Sequence, residues 1–275
     1  MKINYLFFEI DYKEYIKIII LGIVEGITEF LPVSSTGHMI LVSDLLNFNS
    51  NKIKIFDIVI QFSSVIVIII LFKTKLLKII KHTINTSNNE NINFFISHII
   101  ICLIPIGILG LFFHRKLEQL NNVNNIILSL LCGSITLTIS ELLKPNKLIK
   151  HINYLQAFII GCIQCLSLYP GFSRLGATIF SGSLLKIHRC VIIEFSFIMS
   201  IPLMCSTSII SIIDNIKLLK LSDIPILITG MLTTFIILMI ISKKCLLFIK
   251  NKSLKLIIIY RLIITTTMYF YFKFN

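Results

Sequence analysis

Two acidic residues, Glu25 and Glu29, lie four positions apart in the apolar stretch that opens the chain. At helical spacing they share one face. A charged residue at membrane depth costs at least ~2.5–3.5 kcal/mol on insertion scales, so two on one face call for a reason. Neighbouring carboxylates repel unless a cation or a shared proton lies between them. A hard divalent cation, Mg²⁺ or Ca²⁺, held by the two glutamates and by phosphate oxygens meets that need. A purely local role, with one glutamate at the interface and the other satisfied nearby, is the weaker reading. No basic residue in the same helix can pair with them.

The segment Pro32-Val-Ser-Ser-Thr-Gly-His38 follows. Pro32 ends one helix, and Ser34, Ser35 or Thr36 can cap the next. A helix start offers free N–H groups and the positive end of the macrodipole, which together bind phosphate. His38 falls in the first turn of that helix, where it could serve as nucleophile or as general acid or base. Alone it would read as a neutral histidine bonded to a helix carbonyl. Beside two glutamates and a serine cluster, catalysis is the better expectation.

A second constellation is Pro170-Gly-Phe-Ser-Arg-Leu-Gly-Ala-Thr178. Arg174 stays charged and can grip phosphate with two parallel hydrogen bonds. Ser173 can cap a helix and donate to a phosphate oxygen, and Thr178 lies one turn beyond Arg174. An ion pair of Arg174 with Glu25 or Glu29 is compatible with phosphate binding. Lower expectations attach to Asp57, Gln61 and Glu194 as supporting partners, and to Glu141 and His151 at the cytoplasmic rim. Arg261 is a second candidate for anion contact, with local pairing as its alternative.

These residues must be held by elements inside a membrane. Of 275 residues, 56% are hydrophobic and 14% charged. Soluble domains carry about a quarter charged residues. No polar stretch is long enough for a second domain, so residues 1–275 form a single membrane domain. Six runs approach the roughly 20 residues a spanning helix needs: about 55–72, 94–113, 123–143, 190–213, 224–242 and 254–272. Two further apolar regions, about 16–47 and 154–187, are broken at 30–37 and 169–176 by Pro, Ser and Gly. Their halves are short for a crossing, so each is expected to be a re-entrant helix–loop–helix hairpin. Irregular backbone at that depth is tolerated only where protein or a water-filled cavity surrounds it.

Gly22-Ile-Val-Glu25 before Pro32-Val-Ser-Ser35 parallels Gly161-Cys-Ile-Gln164 before Pro170-Gly-Phe-Ser173. Three crossings separate the hairpins, so they enter from opposite sides. The expected fold is all-α: six transmembrane helices plus two hairpins in an inverted repeat, with halves at about 16–143 and 154–272. The net charge of +13 is spread in short clusters between apolar runs, which suits anionic lipid headgroups and excludes nucleic acid. Fourteen Lys and Arg flank one side and ten the other, which places the richer side in the cytoplasm. Glu9, Asp11 and Glu14 precede the first apolar run, so no cleavable leader is expected. Seven scattered cysteines, including Cys162 and Cys165, read as small apolar residues.

The two constellations resemble the motifs of the bacitracin-resistance family of undecaprenyl-diphosphatases. Glu25-Gly-Ile-Thr-Glu29-Phe-Leu-Pro-Val-Ser-Ser-Thr-Gly-His38 matches the first motif, and Pro170 to Thr178 the second. The similarity extends to Phe56-Asp-Ile-Val-Ile-Gln61, Glu194-Phe-Ser-Phe197 and Ile259-Tyr-Arg261. The resemblance implies release of the terminal phosphate of undecaprenyl diphosphate, which regenerates the monophosphate carrier for peptidoglycan synthesis and confers bacitracin resistance. It implies a divalent cation, a bacterial plasma (inner) membrane location and a site facing the periplasm. Its functional positions fall on Glu25, Glu29, Ser35, His38, Ser173, Arg174 and Thr178. Leu175 departs from the pattern, which has serine there, and removes one phosphate donor.

On this reading the lipid tail enters between helices, the diphosphate lies where the hairpins meet, and His38, a serine or water attacks. Expected partners are the polyprenyl diphosphate and the bilayer. A homodimer is left open. The competing class is a flippase that moves a polyprenyl phosphate without hydrolysing it, since inverted repeats with broken helices are typical of transporters.

Overall fold

The computed structural model describes residues 12–48, 50–84, 90–119, 122–143, 149–215 and 223–274. Lys2, Lys144, Lys147, Lys217 and Lys220, which entered the charge asymmetry, lie outside these residues. The side chains of Lys52, Lys54 and Arg115 do so too.

Ten α-helices make up the described chain: α1 (Tyr12–Thr28), α2 (Ser35–Leu45), α3 (Ser50–Ile84), α4 (Glu90–Gln119), α5 (Val123–Leu142), α6 (Tyr154–Gln164), α7 (Arg174–Leu184), α8 (Arg189–Asn215), α9 (Ile224–Asn251) and α10 (Lys255–Phe274). A 3₁₀ turn, Cys165–Leu168, extends α6. Six helices carry windows long and apolar enough to cross a membrane: Val59–Lys78, Ile96–Phe113, Val123–Leu142, Arg189–Ile213, Ile224–Asn251 and Lys255–Phe274. The chain is thus an all-α, multi-pass membrane protein. The helices overrun the apolar runs read from sequence: α3 continues to Ile84. Lysines at such ends keep the helix going while their ammonium groups reach the interface.

The two short pairs, α1–α2 and α6–α7, are joined by turns at Glu29–Ser34 and Tyr169–Ser173. Pro32 and Pro170 lie in these turns, where a missing N–H costs no helical bond. Asn153 opens α6 with a capping box: its side chain accepts from the Gln156 N–H while Gln156 Oε1 accepts from the Asn153 N–H at 2.9 Å.

Helix α1 packs along α9, and α6 along α4. Small residues set both contacts. A Cβ on Gly26 would stand 2.7 Å from Ile237 Cγ2. One on Gly161 would collide with the Cys102 carbonyl. Between helices in lipid, close backbone approach replaces water exclusion as the source of attraction. The largest core cluster gathers the first turn and the start of α7 onto one floor. Phe30 and Val33 from the first turn meet Leu175 and Ile179 of α7 and Phe197 of α8. The Phe30 and Phe197 rings stack with centroids 4.8 Å apart. Ile100, Ile104, Ile108 and Leu111 of α4 face outward, as expected where lipid is the solvent.

Candidate active site

Each turn ends in a serine that caps the next helix from an unusual backbone conformation. Ser34 has φ 72° and ψ 94°, Ser173 φ 78° and ψ 115°. Non-glycine residues at positive φ cost of order 1–3 kcal/mol and persist only where surrounding contacts impose them. Here the contacts are visible. The Gly37 N–H donates to Ser34 Oγ at 3.4 Å, and the Gly176 N–H to Ser173 Oγ at 3.2 Å. His38 Nδ1 lies 2.8 Å from the Ser34 carbonyl oxygen. A carbonyl only accepts, so Nδ1 carries the proton, and Nε2 accepts from the Tyr260 hydroxyl at 2.8 Å.

The capped starts of α2 and α7 border one cavity of about 210 Å³, together with Glu29, Ser34, Ser35, Ser173 and Arg174. Thr36 and Gln61 add polar wall, and Ile106 and Met204 add apolar wall. Cavities that hold drug-sized ligands run to about 300–1,000 Å³, so this one suits a headgroup with its tail left outside. Arg174 Nη2 donates to Glu29 Oε1 at 2.7 Å. Ser35 Oγ donates to Glu29 Oε2 at 2.8 Å. One carboxylate therefore bridges the two constellations. Only one of the five guanidinium donors is engaged there, so others remain for an anion.

Glu25 is 3% exposed and feels the charges of Glu29, Asp57 and Arg174. Of the three carboxylates only Glu29 borders the cavity; Glu25 and Asp57 lie off its wall. Carboxylate oxygens are hard donors of the kind a divalent cation takes along with phosphate oxygens and water. Among the described residues no three His, Cys, Asp or Glu side chains converge closely enough to cage a metal by themselves. Any cation at this cavity would draw oxygens from substrate and water as well as from Glu29.

Other expected residues lie elsewhere. Thr178 is fully buried. Its hydroxyl lies 2.8 Å from Gln164 Oε1 and 2.9 Å from the Arg174 carbonyl, and accepts from Ser196 Oγ at 3.2 Å. It borders the base of α7, not the cavity. His38 is 5% exposed and also lies off the cavity wall. Glu194, expected to support the site, instead accepts from Lys75 and Lys250, the latter at 2.6 Å. It joins α8 to α3 and α9 and is no part of the site. Glu141 accepts from Ser253 Oγ at 2.6 Å and from the Leu254 N–H at 3.2 Å, holding the start of α10. Leu175 belongs to the shared core and also borders the cavity, so the departure from serine puts an apolar wall where a hydroxyl would stand. Arg261, expected as an anion contact, is 0% exposed and bonds to main-chain carbonyls.

The family described as "Bacitracin resistance protein BacA" matches residues 18–267. The chain belongs to the BacA family. Proteins named undecaprenyl-diphosphatase from two strains of Buchnera aphidicola subsp. Acyrthosiphon pisum, Tuc7 and APS, are each 43% identical over 265 residues, covering 95% of this chain and 99% of theirs. One of the same name from Baumannia cicadellinicola subsp. Homalodisca coagulata is 40% identical over 274 residues, covering 94% and 98%. Both constellations fall inside the BacA match. Two residues that the sequence reading passed over also do. Tyr260 stood in the string Ile259-Tyr-Arg261, yet nothing in its spacing announced a bond to a histidine 222 positions away. Gln164 was legible, because it occupies the place in the second half that Glu25 holds in the first.

Proposed function

We propose that the protein is a membrane phosphatase that hydrolyses undecaprenyl diphosphate to undecaprenyl phosphate and inorganic phosphate. The observation that carries this reading is the cavity where Glu29, Ser35 and Arg174 meet the capped starts of α2 and α7. The diphosphate sits there with its tail running between helices into lipid. Arg174 and the two helix starts offset the charge that spreads over the transferred phosphoryl oxygens, the chief demand of this chemistry.

The attacking oxygen is Ser35 Oγ, whose proton passes to Glu29 as the bond to the terminal phosphorus forms. The bond to the bridging oxygen breaks, and undecaprenyl phosphate leaves. Water then attacks the phosphoserine, releasing inorganic phosphate and returning the proton to Ser35. Glu25 and Glu29 are the residues that would hold Mg²⁺ or Ca²⁺. Such an ion supplies Lewis-acid neutralisation of the phosphate oxygens. His38 acts through its bond to the Ser34 carbonyl, keeping the first turn in shape.

In this reading α1–α2 and α6–α7 are re-entrant hairpins, and the halves form an inverted repeat. The paired contacts of α1 with α9 and of α6 with α4, and the twin serine caps, support it. The Lys and Arg asymmetry supports an active site on the periplasmic side of a bacterial inner membrane. A flippase explains the anion site equally well, but the relatives carry the name of a hydrolase. The test is phosphate release from undecaprenyl diphosphate in detergent, with and without chelator. Release lost on chelation and in Arg174→Ala supports the phosphatase. Lipid binding without release would refute it.

A further inference from the structure

Among the described residues Arg261 is the largest fully buried side chain. Its guanidinium reaches three elements at once. Nε donates to Ser134 Oγ of α5 at 3.2 Å, and Nη1 to the Pro32 carbonyl at 3.0 Å. Nη2 is shared among the carbonyls of Leu130 at 3.0 Å and of Gly171 and Phe172, both at 3.3 Å. Pro32 lies two residues before Ser34, and Gly171 and Phe172 immediately precede Ser173. One side chain therefore bonds both turns whose serines sit at positive φ. All its acceptors are neutral. A buried charge without a carboxylate is costly unless its hydrogen bonds are well placed, so the arrangement needs a return.

That return lies in the geometry of the fork. A guanidinium is flat and rigid, so donors fixed on one plane fix the distance between whatever they hold. The first turn delivers Glu29 and Ser35, the second delivers Arg174, and the two sets must meet within hydrogen-bonding distance. Helices α1–α2 and α6–α7 come from different halves of the chain, with no short covalent link to set their relative depth. The sequence also makes room for the fork. A Cβ on Gly133 would collide with Arg261 Nη2 and approach the Phe172 carbonyl to 2.7 Å.

We infer that Arg261 is a positioning residue that locks the two serine turns to each other through its guanidinium fork, holding Ser35 and Arg174 across one cavity. It does not border that cavity, so its effect reaches the reaction only through the turns. This deepens the phosphatase reading, but the lock itself can be measured without any turnover.

The experiment is hydrogen–deuterium exchange on purified full-length protein in detergent, with kinetics on undecaprenyl diphosphate alongside. In Arg261→Gln, the segments 28–38 and 168–178 exchange faster together, by about tenfold or more, while the spans of α4 and α9 keep their protection. Turnover falls about 10²-fold, the scale of a misplacement near 1 Å, with KM held within about threefold. Arg261→Lys keeps the charge but has a single nitrogen, and loosens at least one turn. Gly133→Ala keeps the arginine and crowds it, and loosens 168–178 the more. Should Arg261→Gln fail to fold, these two variants carry the test.

Unchanged exchange in either turn would overturn the lock. So would loss of protection in every helix alike, or full recovery of exchange and kcat in Arg261→Lys, which would leave charge rather than the fork as the cause. A parent protein that releases no phosphate would refute the phosphatase reading, and exchange would still decide the lock.

Discussion

Arg174 and Glu29 come from different halves of the chain and meet at 2.7 Å, with Ser35 on the other carboxylate oxygen at 2.8 Å. The pair is 19% and 11% exposed, enough to be reached from the cavity and too little to be freely solvated. Arg174→Ala removes the phosphate-binding cation and frees Glu29 to repel the diphosphate. Loss of one preorganised donor in comparable sites costs about 10²–10³ in kcat, and the repulsion adds to it. Arg174→Lys keeps charge but not the fork and recovers only part. Phosphate release in detergent reads both, and a fall below tenfold in Arg174→Ala would remove it from the site.

The serine caps give a prediction whose sign depends on the replacement. Ser34→Ala keeps the strained backbone and loses the acceptor for the Gly37 N–H, and should cost about 1 kcal/mol. Ser34→Gly also loses that acceptor, but relieves a φ of 72° that glycine adopts freely. The two effects offset, so Ser34→Gly should melt within a few degrees of the parent and above Ser34→Ala. Thermal unfolding in detergent ranks them. A glycine variant no more stable than the alanine one would show that the turn carries no strain.

Much of this architecture was legible before any coordinates. The broken apolar stretches, their Pro and Ser residues and the glutamates at helical spacing follow from local rules of chain geometry. So does the twin capping: both turns end in Ser followed three residues later by Gly. Of the meetings between distant groups, only that of Arg174 with a glutamate of the first constellation was read. Glu194 looked like a site residue because it is acidic in an apolar helix, yet Lys75 and Lys250 claim it from α3 and α9. Thr178 looked like a phosphate contact because it lies one turn from Arg174, but four residues along α7 takes the side chain away from the helix start into the bundle. Arg261 could be marked as unusual by its depth, whereas its carbonyl partners come from three segments far away in sequence. Local spacing marks the residues at each turn, whereas partners such as these are set by tertiary packing.

Tyr260 and His38 should behave as a coupled pair. Tyr260→Phe removes the hydroxyl from Nε2 and leaves the Nδ1 bond to the Ser34 carbonyl. The imidazole keeps its tautomer less firmly, and turnover should fall several-fold, less than in His38→Ala, which removes both bonds. The double variant should lose little beyond His38→Ala alone. A coupling of about 1 kcal/mol is the usual worth of such a bond. Strict additivity of the two effects on kcat would show that Tyr260 does not act through His38. Accumulation of a phosphohistidine under rapid quench would show that His38 attacks directly.

Glu25 offers the sharpest test of the cation. It is nearly buried, with Glu29, Asp57 and Arg174 as its charged neighbours. A bound divalent ion would offset the repulsion among these carboxylates, and the protein should melt higher as Mg²⁺ or Ca²⁺ is added, even without lipid. Glu25→Gln keeps the shape and removes one charge. Two opposite consequences follow. The ion-free variant should melt higher than the ion-free parent, because one of the repelling carboxylates is gone. Its stabilisation by the ion should shrink, and the ion concentration that half-restores phosphate release after chelation should rise at least tenfold. If instead the variant lost activity with an unchanged ion requirement, Glu25 would act on the substrate or on a proton, and the ion would belong to other oxygens.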